Sequence, residues 1–206
     1  MHHVSVSSRF FDIESHATAL VITLKSPDHT NRLSRATVRA LTRAFRDLEN
    51  DLKDELKRSI QDRLIIIVGN RQFFSVGADL HEIAALTVPE AYEFSAMGQG
   101  LMNAIASYPA PVIAAIEGHC MGGGLDLALA CHRRIAAPSA IFGHRGAALG
   151  LVTGWGGTQR LPRLIGKARA LELFITGERI SASRALEIGL VDAIDDDPVG
   201  HALRRP

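Results

Sequence analysis

Two glycine-rich turns are where this chain could do chemistry. The first is Phe73-Phe74-Ser75-Val76-Gly77-Ala78-Asp79-Leu80, after the β-branched run Leu64–Val68. The second is Gly118-His119-Cys120-Met121-Gly122-Gly123-Gly124, after Val112–Ile116. A strand that ends in glycines and opens a helix exposes backbone N–H groups, and glycine lets a ligand approach them closely. The helix N-terminus adds partial positive charge. Two such turns on neighbouring strands can aim two N–H groups at one oxygen, the arrangement of an oxyanion hole. The same glycines would equally serve tight turns and close helix packing, and a glycine triplet alone does not separate the two. Groups that could move a proton occur in and after the second turn. Asp126 follows the second turn, and His144 and His119 belong to the residue type that exchanges a proton near neutral pH. Plain roles exist for these as well. An acid in the first turns of a helix is favourable beside the dipole, and either histidine could simply sit in a partly exposed loop.

The surrounding elements follow from periodicity. Ala19–Leu24 is a short β-prone run ending at Pro27-Asp28. Asn31 to Ser34 offers a helix start, and Val38, Leu41, Phe45, Leu48, Leu52 and Leu56 follow at spacings of three and four, one face of an amphipathic helix. Leu64–Val68 and Val112–Ile116 are continuous apolar runs, as strands buried on both faces are. Pro89 opens a helix to about Ser107, and Leu125–Cys131 reads as a buried helix. Arg134–Ala137 reads as a third strand. Helices are expected over Thr158–Ile165, Ala168–Thr176 and Ser183–Ile188, then a last strand within Leu190–Ile194. Alternating strands and helices predict an α/β fold with mainly parallel strands. No internal repeat or linker is evident. One core domain is expected over 1–194, with a charged, frayed tail over 195–206.

Bulk properties narrow the partners. The chain has 206 residues, 47% of them hydrophobic, enough for one substantial core. The formal net charge of +1 lacks the basic excess of a nucleic-acid or membrane-surface protein, while an anionic small molecule remains compatible with it. Cys120 and Cys131 read as reduced core thiols without metal-ligand spacing. No signal peptide opens the sequence at Met1-His2-His3-Val4, and no apolar run approaches the ~18 residues of a membrane span. The expectation is a soluble, cytoplasmic protein.

The motifs also carry a resemblance. Phe74–Leu80, Pro111–Gly118, Gly122–Cys131, Ala140–Gly143, Gly156-Gly157-Thr158-Gln159-Arg160-Leu161, Thr176-Gly177 and Gly189-Leu190-Val191 resemble, in order and spacing, the enoyl-CoA hydratase/isomerase (crotonase) family. The similarity runs from about Ala19 to Ile194. It implies a spiral of ββα turns, assembled as a trimer or hexamer, that binds an acyl-CoA thioester and stabilises its enolate. It implies no further cofactor, coenzyme A being part of the substrate, and no metal. Residue by residue, it places the oxyanion hole at the N–H groups of Ala78 and Gly123. It puts Asp79, Leu80 and His81 beside the CoA adenine, and Gly154 and Trp155, in the turn Gly154–Gly157, at the acyl pocket.

The family pattern breaks at the acid–base positions. Hydratases of the family use two glutamates to place a water and move its proton, one as base and one as acid. This sequence has Asp126 at the first position and Gly146 at the second, where the usual Pro-Glu pair is Arg145-Gly146. Asp126, with His144 as the remaining base candidate, is therefore the expected catalytic pair. Ordinary hydration is expected to be slow, and restoring both glutamates is expected to raise it, provided the pocket is otherwise intact. Two alternatives stay open: a non-catalytic acyl-CoA-binding or assembly protein, and naphthoate-synthase-like chemistry in which bicarbonate, held by Arg145, supplies the missing base. The chlorobenzoyl-CoA dehalogenase branch is excluded, because its aspartate nucleophile corresponds to Gly154. Family members also continue well past Val191, so an uncovered apolar face is expected here.

Overall fold

The computed structural model describes residues 5–55 and 64–204. Seven strands form the larger sheet: β1 (Ser5–Ser7), β2 (Phe11–Ser15), β3 (Ala19–Leu24), β4 (Leu64–Val68), β6 (Val112–Ile116), β8 (Arg133–Ala136) and β11 (Ala193–Ile194). They lie side by side in that order. β1–β2–β3 is an antiparallel meander, and every later pairing is parallel. A smaller sheet has the order β10 (Ile180–Ser181), β9 (Ile141–Gly143), β7 (His119–Met121), β5 (Phe73–Ser75).

The two sheets alternate along the chain. β4 leads to β5 and then, through the short helix α2 (Leu80–Ala84), to helix α3 (Val88–Ala106). β6 leads to β7 and helix α4 (Gly123–Ala130). β8 leads to β9, a 3-10 turn at Ala147–Leu149 and helix α5 (Gly157–Ile165). Three turns of a ββα spiral result. No repeat was evident in the sequence because the repetition is one of backbone path, while each turn carries different side chains.

Burial explains the unbroken apolar runs of β4 and β6. Ile65, Ile67, Val112, Ala114 and Ile116 face the main core beneath the helices. Leu64, Ile66, Ile113 and Ala115 face the other side, with Ala19, Val21 and Ile135. Helix α8 (Pro198–Arg204) covers that second face and buries Ala202 completely. The stretch expected to fray forms this helix instead: an apolar sheet face needs a cover, and Ala202, with Val199 and Leu203, supplies part of it. Residues 205–206 lie outside the described residues.

Helix α1 (Arg35–Glu55) buries Val38, Leu41 and Phe45, and Ser34 Oγ accepts the Thr37 N–H at 3.1 Å to start it. Leu56 lies outside the described residues, as does the Leu52 side chain. Helices α6 (Lys167–Thr176) and α7 (Ala182–Glu187) fall within a residue or two of their expected positions. Cys120 and Cys131 are free and buried. Burial holds both thiols protonated, Cys131 with a pKa pushed up to about 12.

Candidate active site

The first glycine turn is pinned from below. Asn31 is buried, with φ at 53°, and its Nδ2 donates to the carbonyls of Phe73 (2.7 Å) and Phe74 (3.2 Å). Ser75 Oγ donates to Asn31 O at 2.7 Å and accepts the Gly77 N–H at 3.1 Å. Leu33 N–H closes onto Gly77 O at 2.8 Å. Gly77 has φ at 92°, and a Cβ there would lie 2.7 Å from the Gly123 nitrogen. The turn therefore requires glycine, and the two glycine turns touch with no side chain between them.

The second turn is fixed through the small sheet. His119 N–H donates to Gln72 O, and Gly122 N–H to Gly143 O, each at 2.9 Å. A Cβ on Gly123 would stand 3.2 Å from the Ala78 nitrogen and 2.6 Å from the Trp155 ring. The Ala78 and Gly123 nitrogens thus border one small space. The N–H groups of Gly77, Gly122 and Asp126 all have protein acceptors. Those of Ala78 and Gly123 donate to no turn, loop or cap acceptor among the described residues.

This space opens into a cavity of about 490 Å³. Ala78, Gly123, Asp126, His144, Gly146, Gly154 and Trp155 all line it, as does Leu80. Asp79 and His81 do not. Asp79 caps α2 by accepting the His81 N–H at 2.9 Å, and it pairs with Arg32 at 3.4 Å. Burial would raise the Asp79 carboxyl, but the His81 N–H and the Arg32 guanidinium hold it below the usual carboxylate range. His119 also stays outside the cavity lining, its ring tilted against Phe73 with centroids 5.6 Å apart.

Asp126 sits in the first turn of α4, only 1% exposed. Its Oδ2 accepts a hydrogen bond from Thr153 Oγ1. Its Oδ1 lies 3.2 Å from His144 Nε2, off-line for a good hydrogen bond, and neither of these two atoms has another partner among the described residues. His144 is itself 4% exposed and packs against Phe174. A buried carboxylate and imidazole with unspent hydrogen-bonding capacity are thus directed at the same space.

Sequence reasoning missed Thr153 and Leu151, and placed Gly157 only in the acyl-pocket turn. Thr153 holds the Asp126 carboxylate, and no motif marks it. Gly157 leaves room for the pair: a Cβ there would fall 2.1 Å from Asp126 Oδ1 and 3.1 Å from His144 Nε2. Leu151 occupies the space beside Gly146, where a Cβ would meet the Leu151 carbonyl oxygen at 2.6 Å. The expectation that a glutamate could simply be restored at Gly146 is corrected by that contact. Leu151 N–H donates to Gly146 O at 2.8 Å, so the turn is closed around glycine.

The ββα spiral, with its cavity where the glycine turns meet, defines a crotonase-type fold. The chain belongs to the enoyl-CoA hydratase/isomerase family, whose profile matches residues 14–202. It is 45% identical over 172 residues to a probable enoyl-CoA hydratase of Bacillus subtilis, covering 83% of this chain and 63% of that protein. It is 40% identical over 160 residues to a fatty acid oxidation complex subunit alpha of Shewanella halifaxensis, covering 76% of this chain and 23% of that protein. The chain therefore spans less than two thirds of the length of these curated relatives. Among solved structures, an enoyl-CoA hydratase from Bacillus anthracis superposes with a TM-score of 0.81 at 36% identity, covering 95% of this chain and 72% of that one. Among the described residues, no helix is long and apolar enough to cross a membrane, and no cluster of His, Cys, Asp or Glu could hold a metal.

Proposed function

We propose that this chain is an acyl-CoA thioester-processing enzyme. The thioester carbonyl oxygen would sit against the N–H groups of Ala78 and Gly123. There the negative charge of the enolate is stabilised by donors already in place. Asp126 removes or returns the α-proton, with His144 beside it as the second proton-carrying group. Coenzyme A enters as part of the substrate, its adenine beside Asp79, Leu80 and His81. The reaction class is hydration or double-bond isomerisation, with hydration slowed because Gly146 brings no second carboxylate. The observation that carries this reading is one cavity lined by Ala78, Gly123, Asp126 and His144 together.

The test is exchange of the α-protons of butyryl-CoA into deuterated water, read by mass spectrometry. The unmodified protein should catalyse exchange. Asp126→Asn should lower it about 10²–10⁴-fold, because the amide cannot act as a base. Binding of butyryl-CoA without any exchange would overturn the enzyme reading in favour of a non-catalytic acyl-CoA-binding protein. A homo-oligomer belongs to the same reading. Leu171 and Ile175, one turn apart on α6, are 59% and 67% exposed and suit a subunit contact. Light scattering that finds only monomer up to high concentration would refute that part.

A further inference from the structure

The cavity has four titratable side chains in its lining: Asp126, His144, Arg145 and Arg179. The Asp126 carboxylate is engaged by Thr153 and stands beside His144. The two arginines differ from the chain's structural ones. Arg134 spends its guanidinium on Leu190 O, Cys131 O and Asp192, and Arg32 spends its own on Asp28 and Asp79. Arg145 and Arg179 have neither an ion pair nor a hydrogen bond with any described residue. The rest of the lining is largely apolar, including Leu149, Leu151, Val152, Ile83, Leu86 and Phe94. Arg145 and Arg179 are both exposed, so these two guanidiniums, without a partner among the described residues, form a solvent-facing rim to the cavity and outnumber its one engaged carboxylate. The guanidinium fork suits a carboxylate.

We propose that the preferred substrate is an acyl-CoA whose acyl chain carries a second carboxylate, read by Arg145 and Arg179. The proposal rests on the acyl-CoA reading above and narrows it. The Arg145-Gly146 sequence fits this assignment twice. Gly146 withholds a carboxylate that would repel the substrate's own, and Arg145 beside it offers the complementary charge. The thioester end keeps its place at Ala78 and Gly123, so the chain lies between the two recognition points.

The test is calorimetric binding of two non-enoyl pairs of matched length, glutaryl-CoA against valeryl-CoA and adipyl-CoA against hexanoyl-CoA. At least one dicarboxylic member should bind about tenfold to hundredfold more tightly than its neutral partner, as a charge-assisted pair does. The preference should fall in Arg145→Met and in Arg179→Met, approach unity in the double variant, and shrink with added salt. Equal affinity within both pairs overturns this proposal and leaves the acyl-CoA reading intact. Failure of all four thioesters to bind overturns both. A preference that survives the double variant, or one indifferent to salt if that variant does not fold, also overturns it. A third arm adds bicarbonate to valeryl-CoA. If bicarbonate tightens that binding while neither dicarboxylic thioester has an advantage, the anion read there is a free one and the assignment to the substrate is wrong.

Discussion

Gly157→Ala perturbs the geometry of the proton-moving pair without substituting either member. The added Cβ would stand 2.1 Å from Asp126 Oδ1, where about 3.0 Å is the nearest approach real Cβ atoms make. The carboxylate must therefore retreat by roughly 0.9 Å, the difference between those distances. It cannot do so freely, because Thr153 holds its other oxygen and His144 Nε2 would itself be 3.1 Å from the new methyl group. Misplacing a reacting group by about 1 Å costs on the order of 10²-fold in rate. Overpacking a tight interior typically costs about 1–3 kcal/mol of stability. Exchange of the butyryl-CoA α-proton should thus fall about a hundredfold in a protein that still folds, checked by thermal unfolding. Gly100→Ala is the control: it lies in α3 with nothing within 4 Å of its would-be Cβ. That change should leave exchange unaltered and stabilise the helix by about 0.5–1 kcal/mol. A Gly157→Ala protein with native exchange rates would refute the role given to Asp126.

Two further perturbations follow from the same contacts. Gly146→Glu, alone or with Asp126→Glu, should not raise hydration of crotonyl-CoA and should destabilise the fold by about 1–3 kcal/mol, since the Leu151 backbone must move; a clear gain in hydration with undiminished stability would show that the turn yields. Asp79→Ala should cost about 1 kcal/mol near neutral pH through loss of the α2 cap. The native Asp79 pKa is depressed below the unfolded value of 3.8, so its contribution is present above that value and is lost as pH falls through the folded one. Denaturant titrations at descending pH should therefore show the two proteins converging in acid, and a constant difference down to strongly acidic pH would contradict it.

Much of this molecule was legible along the chain because its signals are local. Strands β4 and β6 announce themselves by unbroken apolar runs, α1 by its three-and-four spacing, and the glycine turns by composition and family resemblance. The resemblance singled out Ala78, Gly123 and Asp126, which the fold sets around one cavity. What the chain alone left open depends on residues far apart in sequence. The small sheet is built from strands of two or three residues, too short to show a period, and held by pairing across dozens of positions. The tail looked charged and free because its partner, the second face of the large sheet, becomes visible only when four strands lie side by side. Gly146 read as a missing group, and only the fold shows its place filled by Leu151 from five residues on. Asp126 and His144 are eighteen residues apart and Thr153 twenty-seven from Asp126; their convergence comes from where α4, β9 and the turn before α5 meet, because packing rather than sequence order decides which polar atoms share a buried space.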